Sequence, residues 1–206
     1  MMSTATHERI LNFWFGESQL NREELEQRIS LWFEAGPEVD AEIESRFGNL
    51  LQKAKNGGLE AWKTSARGRL ALIILQDQFS RNLHRGSEEA FASDAEALRT
   101  CLEGIELGLD TKLSIIERAF FYMPLQHAEA LSVQEKSVEL FTQLAAECSE
   151  AIRPQMGRFL ASARSHRNII AKFGRFPHRN RAMGRECNEA EISFLTTGMV
   201  PFRSKS

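Results

Sequence analysis

Residues 70–75 read Leu-Ala-Leu-Ile-Ile-Leu, and a helix built through them has no polar side to turn toward water. At about 100° per residue the six side chains surround the axis, so this helix has to lie at the centre with other elements packed around it. The helix as a whole is expected over residues 66–83. No stretch of the chain alternates apolar and polar residues between hairpin turns, so strands are not available to cover it. The expected class is therefore all-α, a single domain over residues 1–206, and 206 residues with 42% hydrophobic content suffice for one sizeable core.

The covering helices are marked by their ends. A short amphipathic helix spans 6–15. Pro37 after Gly36 opens another that runs to the Gly57-Gly58 stop. Ser87, with Glu88 and Glu89, is positioned to cap a helix ending near 104–108, and the next starts around Asp110 and meets Pro124. Ser132-Val-Gln-Glu135 has the capping-box pattern for a helix to about 149, with Val138, Phe141, Leu144 and Ala145 on one face. Pro154 opens and Gly174 closes a further helix, and Asn188-Glu-Ala-Glu191 resembles a last cap. Trp14, Trp32, Trp62, Phe120, Phe121 and Tyr122 are read as core.

Charge is divided sharply. From 151 to 185 there is no Asp or Glu, while Arg153, Arg158, Arg164, Arg167, Lys172, Arg175, Arg179, Arg181 and Arg185 all lie there. These nine come from 26 Lys+Arg set against 28 Asp+Glu, which leaves the rest of the chain at −11. Either the basic segment docks on the protein's own acidic helices or part of it binds an anion. Cys101, Cys148 and Cys187 are odd in number and far apart, which argues against a disulfide framework and for a reducing, cytoplasmic setting. The longest strongly apolar run is far short of a membrane span, and no charged leader precedes an apolar stretch at the N-terminus.

Two helices carry charge into apolar surroundings. Asp77 and Arg81 return to the stripe of Leu70, Ile73 and Ile74 and are spaced to pair with each other. On the basic helix, Met156, Leu160, Ala163 and Ile170 share a side and the helical count puts Arg167 in its middle, with Asp77 and Glu129 as partners. Arg153 and Arg164 fall on the edge of that side, Arg158 and Lys172 opposite it, and His166 on the flank. Each helix then exits through a Phe followed by an Arg-Asn pair, Phe79-Ser-Arg-Asn82 and Phe176-Pro-His-Arg-Asn180. Arg forks with Asn amides suit carboxylate or phosphate groups.

Three blocks, Asp77-Gln-Phe-Ser-Arg-Asn-Leu-His-Arg-Gly86, Tyr122-Met-Pro-Leu-Gln-His-Ala-Glu129 and His166-Arg-Asn-Ile-Ile-Ala-Lys-Phe-Gly-Arg-Phe-Pro-His-Arg-Asn180, resemble the signature blocks of the bacterial domain-of-unknown-function family 924. The resemblance runs from about residue 10 to 195, leaving 196–206 as a tail. It implies a tetratricopeptide-like superhelix of antiparallel helix pairs and no particular reaction. Ser80 stands where the family pattern has Pro, and Gln126 where Glu is usual. The second change removes a carboxylate, and with it the ground for a metal or acid/base role at that position.

The candidate ligand-contacting set is Asp77, Gln78, Arg81, Asn82, His84, Arg85, Gln126, His127, Glu129, His166, Arg167, Arg175, His178, Arg179 and Asn180, drawn from segments expected to converge on one polar pocket. The preferred reading of Arg167 with Asp77 and Arg81 is a buried network fixing helix register, with ligand contact second. His127 and Glu129 are first read as braces at the Pro124 junction, since no His-Glu-x-x-His or Pro-Cys-x-x-Cys motif accompanies them. No cofactor or metal is called for. Neighbouring cations are expected to keep His178 neutral. The leading functional expectation is a binding module for an anionic small molecule or a peptide carboxylate. The alternatives are an enzyme using His127, His166 or His178 as acid and base, and RNA contact through 153–185, against which an overall pI near 6.2 argues.

Overall fold

The computed structural model describes residues 5–16, 22–34 and 36–196. Every regular element among them is helical. The expected tail after Thr196 lies outside the described residues. The first elements are α1 (Ala5–Phe15), α2 (Arg22–Phe33) and α3 (Pro37–Lys55). In α3, Pro37 follows the Gly36 cap, acids occupy the first turn and Lys53 and Lys55 the last, so both ends suit the helix dipole.

The central rod is not the uniform helix expected from the sequence. α4 (Ala66–Ile73) passes into a π-helical stretch, Ile74–Phe79, and then into α5 (Ser80–Leu83). Leu70 to Leu75 are all buried, as a helix apolar on every side must be. The wider π turn breaks the regular 100° count, and such bulges recur at functional sites. Here it carries Gln76 and Asp77 into the interior together with Phe79.

Close packing fixes where the rod begins. The Ser65 side chain accepts from the Gly68 N–H, and a Cβ on Gly68 would lie 2.4 Å from the Trp62 carbonyl oxygen. Backbone cannot yield as a side-chain tip can. Gly68→Ala is expected to cost roughly 1–3 kcal/mol in urea unfolding; an unchanged midpoint would show that the turn relaxes freely. Nearby, the buried Arg69 donates to the carbonyls of Lys63 and Thr100, at 2.9 and 2.7 Å, so a cation the sequence reading passed over ties the rod to its neighbour.

That neighbour is α6 (Asp94–Glu106), which runs antiparallel to the rod. Ser87 does not cap it: a 3₁₀ turn at Glu88–Ala90 intervenes, and the Ser87 hydroxyl donates to His84 O. Short helices α7 (Ile115–Phe121) and α8 (Met123–His127) follow. The reciprocal capping box belongs to Ser114 and Glu117 at the start of α7. Ser132 and Glu135 lie inside α9 (Leu131–Glu147), whose N-cap is Ala130.

α9 and α10 (Arg153–Phe173) form an antiparallel pair, with Phe141 against Phe159 and Glu135 near Arg167. Pro154 and a left-handed Gly174 bound α10 as expected. Its inward face differs from the expected one. Met156, Phe159, Ala163, His166, Ile169 and Ile170 are buried. Phe159 meets the rings of Phe33, Phe120 and Phe141 and sets the phase in place of Leu160. One residue of phase turns Arg167 outward, where its side chain is 42% exposed, and turns His166 in. Finally α11 (Glu189–Thr196) starts with the expected cap, Asn188 and Glu191 each accepting the other's N–H at 2.9 Å.

The core holds all three Trp residues, with Phe120 in ring contact with Trp14, Phe15, Trp32 and Phe159. A smaller apolar group of Ile169, Ile170 and Phe176 lies at the end of α10.

Candidate functional site

The π turn of the rod, the start of α6, the end of α8, the inner face of α10 and the segment after Gly174 meet at one polar cluster. Asp77 is fully buried. It takes the Arg81 guanidinium at 3.1 Å and the His127 Nδ1–H at 2.7 Å on Oδ1, while the Gln78 amide donates to Oδ2. Burial pushes this carboxyl up, but Arg81 and then His127 outweigh it and hold the group well below the usual carboxylate range. Asp77 is thus ionised, and the His127 ring carries its proton on Nδ1.

Arg81 reaches on to Asp94 at 2.9 Å, and Arg179 Nη1 donates to the same carboxylate at 3.0 Å. Arg179 is 6% exposed, with its guanidinium carbon 4.7 Å from the Phe91 ring centre and 4.6 Å from that of Phe176. Two aromatic faces so placed fix the plane of a cation. Burial, then repulsion from Arg81, lowers its pKa to about 10, and it stays charged at neutral pH. Glu129 receives both arms of Arg185, at 2.6 and 2.9 Å, and the Phe176 N–H at 2.8 Å. Arg185 also donates to Asn180 Oδ1 and Phe176 O, so the loop is closed on itself.

All three histidines of this region are kept neutral. Burial first, then Arg81, lowers the pKa of His127. Burial takes His166 down to about 3, with His127 adding to the effect, and takes His178 down to about 4, with Arg179 adding. His166 donates from Nδ1 to Ser162 O at 3.0 Å, and the Ser162 hydroxyl donates to Gln126 Oε1 at 2.8 Å. The His127 and His166 rings stand 6.0 Å apart.

Asp77, Gln78, Arg81, Gln126, His127, Glu129, His166, His178 and Arg179 therefore lie together. Asn82 and Arg85 instead bind Asp40 of α3, at 2.8 and 2.7 Å. His84 lies on that side as well, with Lys55 and Glu89 as its charged neighbours. Arg175 is taken up by Glu191 at 2.7 Å, and Asn180 is buried beneath them, 3.4 Å from the same carboxylate. Arg167 leaves the set, since its partner is Glu135 at 3.8 Å on the surface, not Asp77 or Glu129. Sequence reasoning missed Asp94, Phe91 and Ser162, and it counted Arg185 only as part of the basic segment. Nothing local couples Asp94 to a cation 85 residues later. Among the described residues no group of three His, Cys, Asp or Glu side chains is arranged to hold a metal ion.

A family profile described as "Bacterial protein of unknown function (DUF924)" matches residues 10–199. The chain belongs to DUF924. It is similar to a solved structure of a protein of unknown function, ATU0120 from Agrobacterium tumefaciens, at 32% identity and a TM-score of 0.79, over 94% of this chain and 98% of that one. No curated protein matches it significantly.

Both departures from the DUF924 pattern have a physical setting here. Ser80 donates to Glu89 O. Gln126 is 1% exposed and accepts from a neutral hydroxyl, whereas an ionised Glu buried there would carry a heavy desolvation cost. No described helix of this DUF924 member is long and apolar enough to cross a membrane.

Proposed function

We propose that this protein is a binding module for a small anion, a carboxylate or a phosphate, seated on Arg179. One observation carries the reading. Arg179 spends only Nη1 on Asp94; its Nε is buried without a partner, and Nη2 donates to no described residue. Nε and Nη2 together are the fork that grips a carboxylate or phosphate with two parallel hydrogen bonds. Phe91 and Phe176 hold that fork in one plane, so little ordering remains to be done on binding. A buried donor left unpaired costs about 1–3 kcal/mol, which an incoming acceptor recovers.

The basic segment gives little support to a broader phosphate surface, because five of its nine cations, Arg153, Arg167, Arg175, Arg179 and Arg185, each face a carboxylate of the chain itself. The Asp77–His127 pair favours acid–base chemistry as the second reading, since it is built like the orienting half of a catalytic triad. The three unpaired cysteines suit a reducing, cytoplasmic setting.

The test is calorimetric titration of inorganic phosphate and of acetate into the wild-type chain, Arg179→Lys and Arg167→Ala. Lysine keeps the charge and loses the fork. Affinity is expected to fall about 10- to 100-fold in Arg179→Lys and to hold in Arg167→Ala, with both variants retaining their helical circular dichroism. Equal affinity in Arg179→Lys would remove Arg179 as the anchor.

A further inference from the structure

We infer that the Arg179 site takes up its anion together with a proton, and that the proton goes to His178. The inference rests on the proposed anion site and concerns how that site is regulated. It begins from a count of charge. Three guanidinium groups, Arg81, Arg179 and Arg185, meet three carboxylates, Asp77, Asp94 and Glu129, and every one is paired. Arg81 lies 3.1 Å from Asp77 and 2.9 Å from Asp94, Arg179 lies 3.0 Å from Asp94, and Arg185 lies 2.6 Å from Glu129. With its histidines neutral, the cluster sums to zero. An anion seated on Arg179, which is 6% exposed, leaves one negative charge uncompensated inside the protein. Such a charge is costly away from water, and a proton bound beside it removes the cost.

The carboxylates are poor receivers for that proton, since each already holds a guanidinium. Among the histidines, His127 has Nδ1 on the Asp77 oxygen that also takes Arg81, and His166 has Nδ1 on Ser162 O. His178 makes no hydrogen bond to a described residue, and its Nδ1 is buried without a partner. Charging this ring breaks no bond that the fold has made.

Position selects the same residue. His178 precedes Arg179 in the 3₁₀ turn Pro177–Arg179, and both lie against one ring: the centre of Phe176 is 5.5 Å from that of His178 and 4.6 Å from the Arg179 guanidinium carbon. The titratable and charged groups that act on His178 are Arg179 on its own turn, His127 and Glu129 at and just after the end of α8, Arg185 in the loop beyond, and His166 on α10. Burial first, then the Arg179 charge, keeps the ring neutral. An anion on the Arg179 fork cancels that second influence and returns His178 from about 4 toward its ordinary value of 6.5. Across this interval the complex holds a proton that the empty site refuses, so affinity climbs as pH falls, by up to about tenfold per pH unit.

Formate tests this, because it stays ionised from pH 7.5 to 5.5 and brings no proton of its own. Calorimetry on the full chain is expected to show formate bound about 3- to 10-fold more tightly at pH 5.5 than at pH 7.5. Titrations at pH 5.5 in two buffers of different ionisation enthalpy should register the uptake of up to roughly one proton per anion. The slope should flatten in His178→Gln. Nitrogen-15 NMR of the histidine rings gives a reading that needs no variant: saturating formate should move the His178 titration up from about 4 in the wild-type protein. Equal affinity at both pH values with no proton taken up would overturn the coupling while leaving the Arg179 site standing, and an unmoved His178 titration would overturn the assignment of the proton to that ring. If formate binds at neither pH, the proposed function falls and this inference with it.

Discussion

Acidification from pH 7 to pH 5 is expected to remove about 3–4 kcal/mol of folding stability, most of it through His166 and His178. In the folded chain their pKa values are about 3 and about 4, against an ordinary value of 6.5. Between 6.5 and those values the unfolded chain binds protons that the folded chain refuses, so stability falls as pH falls. One and a half pH units below 6.5 correspond to roughly 2 kcal/mol per histidine. The depressed carboxyls, Asp77 and Glu129, act in the same direction, but their share is lost only below their ordinary values of 3.8 and 4.5. The window from pH 6.5 to 5 thus belongs to the histidines. Urea midpoints measured across it should slide steadily, and His166→Gln should flatten the slope by about half. A flat profile would mean that the imidazoles find solvent or a carboxylate when they charge.

Asp77→Ala should have an effect of similar size, about 3–5 kcal/mol, because it strands the groups around it. Arg81 would keep Asp94, but His127 would lose its one hydrogen-bond partner among the described residues and the Gln78 amide its carboxylate acceptor. For a chain of this length that corresponds to roughly 6–20 °C in melting temperature. Glu135→Ala is the contrast, since its contact with Arg167 is long and both side chains are largely exposed. That change should stay within about 0.5 kcal/mol. A loss below 1 kcal/mol in Asp77→Ala would show that the buried carboxylate is replaceable by packing and does not hold the junction.

What the sequence made legible were features decided locally. Proline and glycine punctuate α3 and α10 because backbone geometry permits little else there, and the Asn188 cap needs only a partner three residues away. The same local rule misfired at Ser132, where the spacing is right but the cap falls two residues earlier, at Ala130, and it passed over Ser114. α2 went unread as a helix: Trp32 was expected in the core, but the charged residues around it give little sign of the buried Leu25. The site was half legible. Asp77 with Arg81 follows from spacing along one helix, whereas Asp94 with Arg179 and Glu129 with Arg185 are products of the finished fold. The phase of α10 was the costliest ambiguity. Phe159 and Leu160 are both apolar, and choosing between them decides whether an arginine or a histidine enters the core. Only the aromatic neighbours contributed by α2, α7 and α9 resolve it.

Phe176 gives this arrangement a direction in time. Its N–H is held by Glu129, its carbonyl by Arg185, and its ring by Arg179 and His166, so the cluster closes around one residue late in the chain. During synthesis the rod, α6 and α8 emerge first and wait, with Asp94 holding Arg81 but not its second cation and Glu129 without Arg185, until Arg179 and Arg185 have left the ribosome. On the proposed function, the anion would therefore engage only a chain completed past this point, and an abandoned shorter product would be blind to it.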